Sequence, residues 1–369
     1  MSYLDRVARA LATLDERSLR REVRDAIPPG TIDFSSNDYL GMARHPHVVA
    51  ALRGATRVGS GGSRLLSGAH PEHVALETEL AAWTGRERAL LFSSGYLAAL
   101  GAIVALAPFA KAIYSDERNH ACAIDAVRLT KLPRHIYPHD APSAPNVRET
   151  PAMLVTESLF GMTGTRVDIG ARVAMLGPDD LLVVDEAHAL GVAGPAGAGL
   201  CAPHDDARVV VIGTLSKALG GLGGFVAGPH DAIAYLATAA RSFVFDTALP
   251  PALARALSAS LALVRGDEGE RLRARLRDRA HDLRDELAAI GVNMPATDGP
   301  IVPIPIGDTA MALAIGRHLE ACGIYAPAIR PPTVPRGEAQ LRVTLRSDHT
   351  PGDVRSFAEA LASALATAR

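Results

Sequence analysis

Between residues 89 and 228, short apolar runs alternate with longer stretches whose apolar positions recur every three or four residues. The runs are "ALLF" (89–92), "AIYS" (112–115), "AMLVTES" (152–158), "LLVVD" (181–185), "VVVIG" (209–213) and "GFVAG" (224–228). They lack the in-and-out alternation of a half-exposed strand, which predicts strands buried on both faces. Segments between them, such as "GYLAALGAIVALA", have helical spacing. Strands alternating with helices predict an α/β fold on a mainly parallel sheet covered on both sides.

The pattern changes after "ALPPALARAL". "GDEGERLRARLRDRAHDLRDELAAIG" predicts a long charged helix whose arginines and acids form a solvated face. "IVPIPIG", a helix near "ALAIGRHLEACG" and "LRVTLRS" then predict a smaller α+β domain. The expected organisation is an N-terminal arm at 1–35, a large domain at 36–250 and a small C-terminal domain at 251–369. Within the arm, Leu4, Val7, Leu11 and Leu14 have the spacing of an amphipathic helix.

Composition narrows the class. The 369 residues are 48% hydrophobic and 21% charged, which suits a globular enzyme and excludes a disordered chain. A formal charge of −2 gives no general attraction to nucleic acid or anionic membrane. Cys122, Cys201 and Cys322 are odd in number and far apart, so neither a disulfide framework nor a zinc site is indicated. The N-terminus is charged throughout, and no apolar stretch has the length of a membrane span. The expected location is the cytoplasm.

Among 38 Lys plus Arg, only Lys111, Lys131 and Lys217 are lysines. Arginine keeps its proton in proteins, whereas lysine can lose one and act as nucleophile or base. Lys217 lies in "VVVIGTLSKALGGLGG", in the turn leaving a predicted strand. Thr214 precedes it by three residues and offers a hydroxyl to a phosphate. In "LLVVDEAHALG", Asp185 falls at the carboxyl end of another strand, where open α/β sheets bind ligands, and His188 follows. "DEAH" also occurs in nucleic-acid helicases, but their phosphate loop requires a Gly-Lys pair that this chain lacks. A simpler alternative is that Asp185 caps the following turn.

In "LLFSSGYLAALG", Ser94, Gly95 and Tyr96 open a helix directly after a strand, a place where backbone N–H groups can bind an anion. Such turns are also common without a ligand. His70, His73 and Glu77 could be read as metal ligands, but no further ligand set has recognisable spacing, so no metal is expected. Pyridoxal 5′-phosphate needs a Schiff-base lysine, a carboxylate at the pyridine nitrogen, a phosphate cup and a ring platform. Lys217, Asp185 and the Ser94–Tyr96 turn supply three of these.

"FSSNDYLGM" (34–42), "GSGGSRLLSGAHPEH" (59–73), "LLFSSGYLA" (90–98), "VVDEAHALGVAG" (183–194), "TLSKALGG" (214–221) and "AIRPPTVP" (328–335) together resemble the α-oxoamine synthases. The resemblance runs from about Phe34 to the C-terminus. It implies the pyridoxal-phosphate-dependent transferase fold of aspartate-aminotransferase type I and an acyltransferase activity. It also implies a homodimer with the active site at the subunit interface. "AIRPPTVP" and "GSGGSR" favour the member that condenses L-alanine with a pimeloyl thioester, on CoA or a carrier protein, in biotin synthesis. The alternatives are a sibling using glycine or serine with another acyl-CoA, or an aminotransferase or lyase of the same fold.

The resemblance also implies roles. Lys217 would bind the cofactor's aldehyde, Asp185 its pyridine nitrogen and His188 its phenolic oxygen, while His120 would stack on the ring. Ser94, Gly95, Tyr96 and Thr214 would hold the phosphate, with Thr247 reaching the partner chain's phosphate. Arg342 would pair with the amino-acid carboxylate, a task suited to guanidinium geometry. Asn37, Arg20 and Thr333 would meet the acyl substrate. The chain departs from the family where Gly161 replaces a common serine, where Thr163 and Thr165 replace acids, and where an asparagine usual near Ala99 is missing.

Overall fold

The computed structural model describes residues 1–23, 26–139, 147, 149–295, 297 and 299–367. These form two compact units, one of residues 37–161 and 165–275, the other of 1–36, 162–164 and 276–369.

The larger unit is built on seven strands: β1 (Arg88–Phe92), β2 (Ala112–Asp116), β3 (Arg134–Tyr137), β4 (Ala152–Glu157), β5 (Leu181–Asp185), β6 (Val209–Thr214) and β7 (Gly224–Gly228). Their order across the sheet is β1-β7-β6-β5-β4-β2-β3. Only β7 runs against the others, pairing antiparallel with both β1 and β6. The central strands are buried at nearly every position, which explains why they read as apolar runs rather than as alternating ones. β3, at the sheet edge, is exposed at three of its four residues and carries no such signal.

Helix Gly95–Leu106 follows β1 and packs against helix Ala121–Thr130, helix Arg241–Val244 and the sheet. Its enclosure on several sides accounts for an almost wholly apolar sequence. The small residues Ala98, Ala99 and Ala102 let these neighbours approach closely, and Ile103 fills the core beneath.

The expected boundary at 250/251 differs from the observed one. Helix Pro251–Arg265 belongs to the larger unit because it packs against helices Pro46–Arg53 and Pro71–Thr84. The start of the following helix, Asp267–Ala289, stays with it too. Arg273 there is only 3% exposed, donating to the carbonyls of Val264 at 2.8 Å and Gly191 at 3.4 Å. The charged helix is therefore not simply a solvated face, since one of its arginines closes buried backbone.

In the smaller unit a three-stranded antiparallel sheet places Ala339–Thr344 between Ala328–Ile329 and Ile301–Gly307. Helix Thr309–Ala321 packs on that sheet and on helix Pro351–Thr367. The N-terminal residues join this unit through main-chain pairing, Ile32–Asp33 lying parallel to Ile324–Tyr325. Helix Tyr3–Glu16 forms as its spacing predicts, with a Ser2–Asp5 capping box, but Leu4, Val7, Leu11 and Leu14 remain exposed. No helix of the described residues is long and apolar enough to cross a membrane.

Ile103 is fully buried beneath the helix that begins at Ser94. Ile103→Ala should destabilise the fold by about 2–5 kcal/mol through lost burial and a residual cavity. The denaturant midpoint should fall accordingly, and an unchanged midpoint would show that this helix does not depend on its core contact.

Candidate active site

Three parallel strands end together. β4 and β5 pair with Glu157 opposite Asp185, and β5 and β6 pair with Asp185 opposite Ile212, two residues before Thr214. The turn after β6 carries Ser216 and Lys217 and folds back to β7, with Leu215 donating its N–H to the Gly223 carbonyl at 2.9 Å. The glycines after Lys217 are required by close approach. Gly220 has φ +69°, and a Cβ there would lie 2.2 Å from the Ala43 nitrogen.

Ser94, Gly95, Tyr96, His120, Asp185, His188, Thr214 and Lys217 all line one cavity of about 210 Å³ in the larger unit. Cys122, Glu157 and Ser216 line it as well. At one end, Ser94 caps helix Gly95–Leu106 by accepting from the Leu97 N–H at 3.2 Å. The first N–H groups of a helix have no partner within it and carry its positive dipole end. The Thr214 and Ser216 hydroxyls lie 2.7 Å apart beside this turn. A Cβ on Gly95 would come 3.1 Å from Thr214, and one on Gly224 would come 2.5 Å from Gly95. Glycine at both positions lets the helix end press onto the strand ends. The Tyr96 hydroxyl donates to Asp125, and that bond raises its pKa.

At the other end lie two carboxylates. Asp185 accepts from the Ala187 N–H at 2.8 Å, and the Cys122 thiol lies 3.9 Å from its Oδ2. Glu157 is buried and accepts from the Gly161 N–H at 3.3 Å. Burial, and then the charge of Asp185, push the Glu157 carboxyl up to about 8. His120 is partly open to solvent, yet the enclosed part of its ring lowers its pKa, desolvation outweighing the pull of Asp185. Between the two ends, Lys217 Nζ lies 2.8 Å from His188 Nε2. His188 Nδ1 in turn lies 2.6 Å from the Tyr39 hydroxyl.

The remaining expected residues lie elsewhere. Asn37 stands behind His188, its Oδ1 accepting from the Tyr39 hydroxyl at 3.3 Å. Thr247 is exposed in the segment after helix Arg241–Val244 and does not line the cavity. In the smaller unit, Arg342 is buried on strand Ala339–Thr344 and donates to Thr344 Oγ1 at 2.8 Å. Arg20 and Thr333 line a separate groove of about 880 Å³ there. Arg20 pairs with Asp15 at 2.9 Å, and Thr333 accepts from Arg21 at 2.8 Å.

His70, His73 and Glu77 have structural partners. His73 Nε2 donates to the Leu249 carbonyl at 2.6 Å, and Glu77 pairs with Arg64 at 2.7 Å. Among the described residues no three His, Cys, Asp or Glu side chains are grouped as metal ligands.

Sequence reasoning missed Glu157, Ser216, Cys122 and Tyr39. Glu157 had a visible signal, an acid at the end of a predicted buried strand. Tyr39 had none, because its partner lies 149 residues away.

Residues 29–361 match the family described as aminotransferase class I and II. The chain is 40% identical over 381 residues to an 8-amino-7-oxononanoate synthase of Aromatoleum aromaticum, covering 97% of this chain and 98% of the relative. A second 8-amino-7-oxononanoate synthase, from Cupriavidus taiwanensis, is 42% identical over 354 residues, covering 91% and 88%. Among solved structures, serine palmitoyltransferase of S. paucimobilis with a bound PLP–myriocin aldimine superposes with a TM-score of 0.88 at 25% identity, covering 100% and 99%. The 8-amino-7-oxononanoate synthase of Francisella tularensis gives 0.74 at 25% identity, covering 91% and 98%. The chain thus belongs to the class I and II aminotransferase family and, within it, to the 8-amino-7-oxononanoate synthases.

Proposed function

We propose that this chain condenses L-alanine with a pimeloyl thioester, on CoA or a carrier protein, to give 8-amino-7-oxononanoate, carbon dioxide and free thiol in biotin synthesis. The observation that carries this reading is one small cavity lined by the Lys217 amine, the Asp185 and Glu157 carboxylates and the first residues of helix Gly95–Leu106. About 40% identity over nearly the whole chain to an 8-amino-7-oxononanoate synthase favours the proposed reaction over the sibling condensations.

The cavity fits pyridoxal 5′-phosphate by the chemistry of its donors. When bound, the cofactor supplies an electron sink for a negative charge developing at the amino acid's Cα. Ser94, Thr214, Ser216 and the N–H groups of Gly95 and Tyr96 would hold the phosphate. Asp185 would hold the proton on the pyridine nitrogen, His120 would form the ring platform and His188 would bond the phenolic oxygen. Thr247 would serve the partner chain's phosphate in a cytoplasmic homodimer.

Lys217 is the chain's nucleophile and base. Its amine would hold the cofactor at the aldehyde carbon and, when free, would take the amino acid's Cα proton onto Nζ. Arg342 would bind the amino-acid carboxylate. Asn37, Arg20 and Thr333 would bind the acyl substrate. Burial and the neighbouring Asp185 raise the Glu157 carboxyl to about 8, which favours its protonated form beside the strand end that would face the pyridine nitrogen.

L-Alanine and pimeloyl-CoA added to the PLP-loaded chain should release thiol and carbon dioxide in equal amounts. Release with glycine or serine but not alanine would overturn the reading. Lys217→Ala should lower turnover at least about a hundredfold, the lower end of proton-transfer catalysis. Lys217→Arg should not restore it, because guanidinium keeps its proton. Normal turnover in either variant would remove Lys217 from the reaction. Between pH 4.5, where the unfolded carboxyl loses its proton, and about 8, where the folded one does, Glu157 favours the unfolded chain increasingly. Melting temperature should therefore fall across this window less steeply in Glu157→Gln than in the wild type, and parallel curves would contradict the retained proton.

A further inference from the structure

Two of the side chains that would meet the cofactor ring, His120 and Asp185, are in contact with a residue that takes no part in the proposed chemistry. Cys122 lies in the first turn of helix Ala121–Thr130, lines the cavity and is only 3% exposed. Its N–H donates to His120 Nδ1 at 3.3 Å, so the imidazole caps the start of that helix. A backbone N–H cannot accept, so Nδ1 carries no hydrogen and the neutral ring keeps its hydrogen at Nε2. The Cys122 sulfur lies 3.0 Å from the same Nδ1. It also lies 3.9 Å from Asp185 Oδ2, at the long end for a sulfur donor. The other oxygen of that carboxylate is taken by the Ala187 N–H at 2.8 Å.

The sulfur therefore stands between two acceptors. A thiolate there would have nothing to give either of them, whereas a thiol can donate its hydrogen. Burial, and then the charges of Asp185 and Glu157, push the thiol well above its ordinary pKa, so it keeps that hydrogen. The chain just before the ring is anchored separately. Asn119 is 4% exposed, and its amide donates to Ser115 Oγ on β2 and to the Val155 carbonyl on β4, both at 2.9 Å. With the main chain fixed on that side, the contacts of Cys122 set the angle of the imidazole.

We propose that Cys122 is a positioning residue for the cofactor, a neutral donor that holds His120 and Asp185 in register with one another. The cofactor ring is rigid, so a platform against its face and a carboxylate at its nitrogen must be placed together. An error in the angle of one moves the ring away from the other. Cys122 meets both, through its N–H and thiol at His120 and through its thiol at Asp185. It moves no proton in the reaction and touches none of the reacting atoms. The inference rests on the reading of the cavity as a pyridoxal 5′-phosphate site.

The test is the affinity of the full-length, cofactor-stripped chain for pyridoxal 5′-phosphate, titrated by visible absorbance in the wild type and two variants. Cys122→Ala removes the donor and should weaken binding about fivefold, near the net worth of one hydrogen bond. Cys122→Ser loses the same sulfur but restores a donor, and should return the affinity to within about twofold of the wild type. A role in packing alone predicts the opposite order, because serine adds the cost of burying a hydroxyl. Equal losses in the two variants, a larger loss in serine, or an alanine variant that binds like the wild type would each overturn the proposal. Infrared spectroscopy of the same chains reads the donor directly. The S–H stretching band that disappears in Cys122→Ala belongs to this thiol, and it should move to higher frequency in His120→Ala, where the nearer acceptor is gone. A missing band would reveal a thiolate, and an unmoved one would show that His120 is not its acceptor; either overturns the proposal. A wild-type chain that binds no cofactor would instead overturn the reading of the cavity, while the infrared band reports the donor independently of it.

Discussion

The parallel register of β4, β5 and β6 is the constraint on which the site depends. Strands running the same way deliver their carboxyl ends to one edge, and the register sets Glu157 beside Asp185 there. Neighbouring strands lie about 4.8 Å apart, so carboxylates at paired positions raise the cost of ionising each other. Burial adds to that cost and pushes Glu157 up to about 8. The lone antiparallel strand completes the edge, because β7 starts where β6 and β1 end. Gly224 can then lie against Gly95 and admit the helix end to the strand termini. The cavity, the paired carboxylates and the helix end beside them are all placed by strand direction.

That edge was largely legible in the sequence because burial on both faces leaves a strong mark. Strands enclosed by helices must be apolar at every position, and the runs ending at Phe92, Asp185 and Thr214 show it. The residues just past those ends are where polar chemistry resumes, so Ser94, Asp185 and Lys217 were visible as exceptions. Less was legible wherever burial is partial. The edge strand Arg134–Tyr137 has one buried residue, and Ile32–Asp33 is two residues long. The division of the chain was also obscured, because only packing assigns helix Pro251–Arg265 to the larger unit. Arg273 shows the same limit, a charge in a charged helix that is nonetheless buried.

What the sequence hides most completely is contact across long separations between ordinary residues. Tyr39 and His188 meet through the fold, and neither the spacing nor the composition around Tyr39 announces it. Gly161 is a further case. A Cβ there would meet the ring of His188, 27 residues on, which lies 2.8 Å from Lys217.

Shape alone does not choose the substrates. The fold superposes on a serine palmitoyltransferase with a TM-score of 0.88 and on an 8-amino-7-oxononanoate synthase with 0.74, at 25% identity to each. Both scores describe the same scaffold, because a backbone superposition does not sample the side chains that meet a substrate. A methyl or methylene is worth only about 1–3 kcal/mol of discrimination in a pocket. A difference of that size resides in a few side chains and leaves the path of the backbone unchanged. Sequence identity of 40–42% over nearly the whole chain therefore bears on substrate choice in a way that superposition does not. It samples the side chains that line the pockets as well as those that hold up the sheet.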